Sequence, residues 1–134
     1  MADVLIIDDD PDNCEVITRF LTRAGHSARS APNGRRALSA LVARVPDFIV
    51  LDVLMPGLDG IDLLDVIRSY LRWTLVPVAI LTAFPEDPRL SRAAELGVTR
   101  VFTKSAFELN DLLACVNEHA GRSSEPPGRP EARG

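Results

Sequence analysis

Short, wholly apolar runs alternate with longer stretches in which apolar residues recur every three or four positions, and the alternation repeats five times along the chain. This is the pattern of an α/β domain built from successive strand–helix units with right-handed crossovers. Val4-Leu5-Ile6-Ile7 and Phe48-Ile49-Val50-Leu51 contain no polar residue, as expected of strands buried on both faces of a parallel sheet. Val76 to Leu81 predicts a fourth strand that delivers Thr82, and Val98 to Phe102 a fifth that delivers Lys104. Ser27 to Ser30 is short and polar, which places the second strand at a sheet edge.

The helices between them carry their own end signals. Asp10 can cap the first, Pro11 suits its first position, Gly25 fits just past its end, and Cys14, Ile17, Phe20, Leu21 and Ala24 share a face. Asn33 can cap a second helix that turns Ala37, Leu38, Leu41 and Val42 inward. After a Met55-Pro56-Gly57 turn, Asp59 can cap a third with Leu63, Leu64, Ile67 and Leu71, and Trp73 closes its end. Pro85 to Gly97 reads as a fourth helix with Leu90, Ala93, Ala94 and Leu96 inward. Ser105 and Glu108 form a capping box for the last, whose inner face is Phe107 or Leu109 with Leu112, Leu113 and Val116.

Composition narrows the class. With 134 residues, 46% of them hydrophobic, the chain can bury about two-thirds of its unfolded surface as one domain. That domain covers residues 1–120, because residues 121–134 shift to Gly, Pro, Ser, Arg and Glu and read as a disordered tail or linker. A net charge of −4 without a basic run argues against direct nucleic-acid binding. No apolar run approaches the roughly 20 residues of a membrane span, and Met1-Ala2-Asp3 begins no secretory signal, so a cytoplasmic protein without membrane contact is expected. Cys14 and Cys115 match neither metal-ligand nor redox spacing and read as reduced, buried thiols. His26 and His119 have no partner pattern and read as surface residues.

Chemistry collects where strands end. Asp8-Asp9-Asp10 follows the first strand and Asp52 the third, and in parallel sheets functional groups gather at those ends. Carboxylates brought together there repel one another unless a cation lies between them, and hard oxygen donors without His or Cys suit Mg²⁺, with Mn²⁺ admitted in its place.

The order of these segments resembles a known family. Leu5-Ile6-Ile7-Asp8-Asp9-Asp10, Asp47 to Gly60 with its Asp52-Val53-Leu54-Met55-Pro56 core, Val78-Ala79-Ile80-Leu81-Thr82-Ala83 and Phe102-Thr103-Lys104 are similar to the receiver domain of two-component response regulators over residues 3 to about 120. The resemblance implies a flavodoxin-like, doubly wound (βα)5 fold, a five-stranded parallel sheet in the order 2-1-3-4-5. Its topological switch point lies between the first and third strands, where Asp8, Asp9 and Asp52 would meet.

It also implies roles. Asp52 is the phosphoacceptor; Asp8, Asp9, Asp52 and the backbone carbonyl of Leu54 hold Mg²⁺; Thr82, Lys104 and the Ala83 backbone contact the phosphoryl group. Thr82 and position 101 form the switch, and Leu54 and Phe84, two positions past Asp52 and Thr82, tune the lifetime of the phosphoryl group by excluding water. The implied partners are a histidine kinase or histidine phosphotransfer protein and a downstream effector, and a phosphorylation-dependent homodimer is compatible with the family. Such a protein labels itself and is not a turnover enzyme.

Two positions depart from the family pattern. Ser105 follows Lys104 where a cis proline is common, which requires either a trans bond or a strained one. Val101 replaces an aromatic residue three positions before the Lys, while Phe102 faces the other side of its strand. Two further readings stand beside the phosphoacceptor: a module that binds partners without phosphate, and an aspartyl phosphatase with Asp8 as nucleophile and Asp10 as acid.

Overall fold

A computed structural model describes residues 1–53 and 60–120. Five strands form one parallel sheet: β1 (Asp3–Ile7), β2 (Ser27–Ala31), β3 (Phe48–Asp52), β4 (Val78–Thr82) and β5 (Arg100–Thr103), in the order β2-β1-β3-β4-β5. The helices are α1 (Pro11–Arg23), α2 (Gly34–Ala43), α3 (Gly60–Ser69), α4 (Leu90–Glu95) and α5 (Leu109–His119). Residues 54–59 and 121–134 lie outside the described residues, and with them the expected roles of Leu54, the Met55-Pro56-Gly57 turn, the Asp59 cap and the tail.

Strand periodicity explains why the sheet is covered on both sides. Along β1 and β3, Leu5, Ile7, Ile49 and Leu51 join one core with Leu41, Leu63, Leu64 and Ile67 of α2 and α3. The alternate residues Val4, Ile6, Phe48 and Val50 join a second core with Ile17, Leu21, Leu112 and Val116 of α1 and α5. Side chains of successive strand residues point to opposite faces, so an unbroken apolar run feeds two cores at once. The polar edge strand is β2, as its sequence suggests.

Local chemistry fixes the ends of α1 and α2. The Asp10 side chain accepts from the N–H groups of Asp12 and Asn13, Pro11 stands first in α1, and Gly25 takes a φ of +97° just beyond it. Asn33 Oδ1 accepts from Arg36 N at 2.8 Å and opens α2.

Elsewhere the structure corrects the sequence reading. Ala24, Val42 (62% exposed) and Leu71 (92% exposed) face solvent, because each lies at the margin of an apolar stripe whose centre already fills the core. Helix α3 ends at Ser69; Trp73 lies beyond it, buried and stacked on Tyr70 with ring centroids 4.8 Å apart. Helix α4 spans Leu90–Glu95, not Pro85–Gly97. The preceding segment turns through i→i+3 bonds such as Asp87 N to Phe84 O and Leu90 N to Asp87 O, in keeping with two prolines that cannot donate. Strand β5 begins at Arg100, since Thr99 instead ties both its N–H and hydroxyl to Val78 O. The Ser105/Glu108 capping box does not form: Glu108 itself precedes α5 and makes no side-chain cap bond.

Candidate functional site

Parallel pairing places the site. Ile7 pairs with Leu51 across β1 and β3, so Asp8 and Asp52 emerge side by side at the C-terminal edge of the sheet. Thr82 ends β4, paired with Thr103, and Lys104 follows directly. One oxygen each from Asp8, Asp9 and Asp52 lies within 4.8 Å of the others. Asp8 and Asp52 are buried, and Asp9 is exposed.

The Lys104 ammonium bridges the two buried acids, 3.1 Å from Asp8 Oδ1 and 3.2 Å from Asp52 Oδ2. Burial pulls its pKa down, but the hydrogen bonds and charges of Asp8 and Asp52 outweigh that pull, leaving the ammonium above the ordinary lysine range. Lys104 N also donates to Thr82 O at 2.7 Å, which ties the two loops together. Among the described residues no peptide bond is cis, so Lys104–Ser105 is trans and the serine brings no strain.

Thr82 is fully buried, and its Oγ1 accepts from Phe84 N at 3.0 Å. That leaves the hydroxyl proton available to a ligand oxygen. Ala83 and Phe84 are exposed beside it, Phe84 by 60%. Val101 is 40% exposed, whereas Phe102 is buried, packed on Phe107 and covered by Arg100 at 4.8 Å, so the two residues do face opposite sides of β5.

A cleft of about 530 Å³ opens beside Asp8 and Asp9, lined also by Pro11, Cys14, Ser30 and Pro32. Cys14 is buried there, its Sγ donating to Asp8 O at 3.4 Å; burial and the Asp8 charge push the thiol up to about 11. Cys115 is also buried and free. The histidines are not bare surface residues. His26 Nδ1 accepts from Ala2 N at 2.9 Å, its Nε2 meets Asn117 Oδ1 at 2.9 Å, and His119 Nδ1 lies 3.0 Å from Cys115 O.

Sequence reasoning passed over two residues that shape the site. Asn13 donates its side-chain amide to Asp8 Oδ2 at 2.7 Å. A Cβ on Gly60 would run into the carbonyl oxygen of Asp52 and come to 2.5 Å from Val53 Cα, and Gly60 N bonds Val53 O at 3.2 Å. A helical Asn near an N-terminus and a Gly eight residues past Asp52 were the available signals, and neither reveals its contacts without the tertiary packing.

The donor set fits a hard divalent cation. Oxygens of the Asp8, Asp9 and Asp52 carboxylates gather within 4.8 Å of one another, hard donors of the kind Mg²⁺ takes, and the Lys104 ammonium that meets Asp8 and Asp52 carries a single positive charge.

The comparisons with known proteins agree with this geometry. The family model for the response regulator receiver domain matches residues 4–117. A 14.6 kDa protein from the sodA1 3′ region of Leptolyngbya boryana is 32% identical over 117 residues, 87% of this chain and 88% of that one. The DNA-binding response regulator MtrA of Mycolicibacterium smegmatis is 31% identical over 124 residues, 92% of this chain but 53% of MtrA, so the chain spans about half of that relative. Among solved structures, the chemotaxis protein CheY4 of Vibrio cholerae superposes with a TM-score of 0.81 at 26% identity, covering 89% of this chain and 98% of that one. The signal receiver domain of a histidine kinase from Syntrophus aciditrophicus gives 0.79 at 29% identity, covering 88% and 89%. On the strength of this match over nearly the whole described chain, and of strands in the order 2-1-3-4-5 that bring the acids together, the chain belongs to the response regulator receiver domain family.

Proposed function

We propose that the protein is a signalling phosphoacceptor that takes a phosphoryl group onto Asp52 from a phosphohistidine donor, a histidine kinase or a phosphotransfer protein, and presents an altered surface to a downstream effector. The observation that carries this reading is the constellation of Asp8, Asp9, Asp52, Thr82 and Lys104 around one edge of the sheet. A transferring phosphoryl group spreads charge over its equatorial oxygens, so the task of the site is to aim a carboxylate nucleophile and surround those oxygens with positive charge and hydroxyl donors.

Asp52 supplies the nucleophilic oxygen. Lys104, already drawn between Asp8 and Asp52, turns to pair with the incoming phosphoryl oxygens. Thr82 donates its hydroxyl proton while its oxygen keeps the Phe84 N–H, and the Ala83 backbone lies next to it. Asp8, Asp9, Asp52 and the Leu54 carbonyl would hold Mg²⁺, which when bound neutralises charge on the transferring oxygens. Phe84, with Leu54, shields phospho-Asp52 from water. Because Val101 is small and exposed, the displacement of Thr82 is read out through the Phe84 loop and not through an aromatic ring on β5.

No observation favours the phosphatase reading: Asp10, its would-be acid, is engaged in capping α1. Among the described residues no helix is long and apolar enough to cross a membrane. Intact-mass analysis after incubation with Mg²⁺ and a small acyl-phosphate donor tests the proposal. A single phosphoryl mass gain that vanishes in Asp52→Ala is expected; a wild type that binds Mg²⁺ but gains no mass would leave a module regulated by binding alone.

A further inference from the structure

We infer that Asn13 is a positioning residue of the cation site, holding the Asp8 carboxylate in the orientation from which it faces Asp52 and Lys104. The inference rests on the cation-binding part of the proposed function. Asn13 is the third residue of α1, yet its side chain turns back to β1 and donates to Asp8 Oδ2 at 2.7 Å. The carboxylate beside it only accepts, so the atom presented must be the amide nitrogen.

The two oxygens of Asp8 are held by different elements. Oδ1 accepts from Asp10 N at 3.0 Å and from Lys104 Nζ at 3.1 Å, while among the described residues the bond on Oδ2 comes from Asn13. Donors on Oδ1 alone leave the carboxylate free to swing about that oxygen. A donor on Oδ2 from a helix fixes its plane, and three of its roughly four acceptor sites are then filled, leaving one direction for a cation. Asp8 is only 2% exposed, so water is a poor substitute for the missing amide.

The residue type is informative. A lysine at position 13 would neutralise Asp8 and compete with a cation, and an aspartate would repel it. A neutral amide orients the carboxylate and leaves its charge intact for the metal. Partners that orient a metal-binding carboxylate in this way influence affinity without touching the ion.

The test compares the full chain with Asn13→Ala by two readouts that do not depend on phosphorylation. In Mn²⁺ titration followed by electron paramagnetic resonance, the variant is expected to bind about tenfold more weakly. In the metal-free protein, hydrogen exchange at the Asp10 amide, which sits on the other oxygen of Asp8, is expected to quicken while the Ile17 and Leu21 amides of the same helix stay protected. Mn²⁺ affinity within about twofold of wild type overturns the inference. So does faster exchange throughout α1, which would mean that Asn13 merely supports the helix, and so does a wild type that binds no Mn²⁺. If wild type binds Mn²⁺ but accepts no phosphoryl group, the phosphoacceptor reading falls while the Asn13 measurements still decide this one.

Discussion

Cys14 is a thiol set against the backbone of an acid cluster, and its environment keeps it protonated. Burial and the charge of Asp8 raise its pKa from 9.0 to about 11. A raised native pKa gives stability that is present below the unfolded value and is lost as pH rises through the native one. Between pH 9 and 11 the wild type should therefore lose about 2–3 kcal/mol more than Cys14→Ala, measured by urea unfolding across that window. Equal slopes for the two proteins would mean that the thiol is not desolvated. Gly60 invites a second prediction at this scale. A methyl there meets the backbone of Asp52 and Val53, neither of which can rotate away, so Gly60→Ala should destabilise by about 1–3 kcal/mol and slow phosphorylation of Asp52. Asp8, Asp52 and Thr82 were legible in the sequence because each stands directly behind an apolar run, and Lys104 because it closely follows the fifth strand. Gly60 and Asn13 were not, since their importance lies in what the chain brings up against them.

Between elements, a guanidinium ties together the starts of β4 and β5 at the end of the sheet opposite the acids. The half-buried Arg68 guanidinium donates to the carbonyls of Leu96 (2.7 Å), Gly97 (3.2 Å), Thr74 (3.2 Å) and Val76 (2.8 Å), joining the end of α3 to the loops before β4 and β5. Burial lowers its pKa, and carbonyl oxygens rather than a carboxylate surround it in these bonds. A lysine offers three donors from one point and cannot span two loops. Arg68→Lys should therefore cost about 2–4 kcal/mol, seen as a lower urea midpoint with an unchanged m-value; a loss under about 0.5 kcal/mol would show that water replaces the clamp. Nothing in the sequence marked this arginine, because its partners are backbone atoms. The same reason explains α4: Leu90, Ala93 and Leu96 have helical spacing, but Pro85 and Pro88 withhold N–H groups, and the segment closes in short turns instead. Element identity and order were legible from hydrophobic period; element ends, which depend on which backbone groups find partners, were legible only where a cap such as Asp10 or Asn33 was present.

Across the whole molecule, the sheet order is what creates the electrostatic problem and its solution. Placing β1 beside β3 forces Asp8 and Asp52 together, and β5, two strands away from β3, brings Lys104 against them. The metal-free fold thus gathers carboxylates in a partly buried crevice, and a divalent cation bound to the native state should stabilise the entire domain by linkage. With free Mg²⁺ about 100-fold above its dissociation constant, the expected gain is about 2.7 kcal/mol. Replacing Lys104 with Met removes an ammonium that offsets the acids, so the metal-free variant should melt earlier than wild type, and Mg²⁺ should restore a larger share of its stability. Asp9→Asn should do the reverse. Asp9 is exposed, so its loss should hardly change the metal-free protein, while the Mg²⁺-dependent gain shrinks. Thermal unfolding of the three proteins with Mg²⁺ and with a chelator separates these cases. A wild-type midpoint that Mg²⁺ leaves unmoved would remove the cation from the mechanism and leave Lys104 as a counter-charge in a phosphate-independent module.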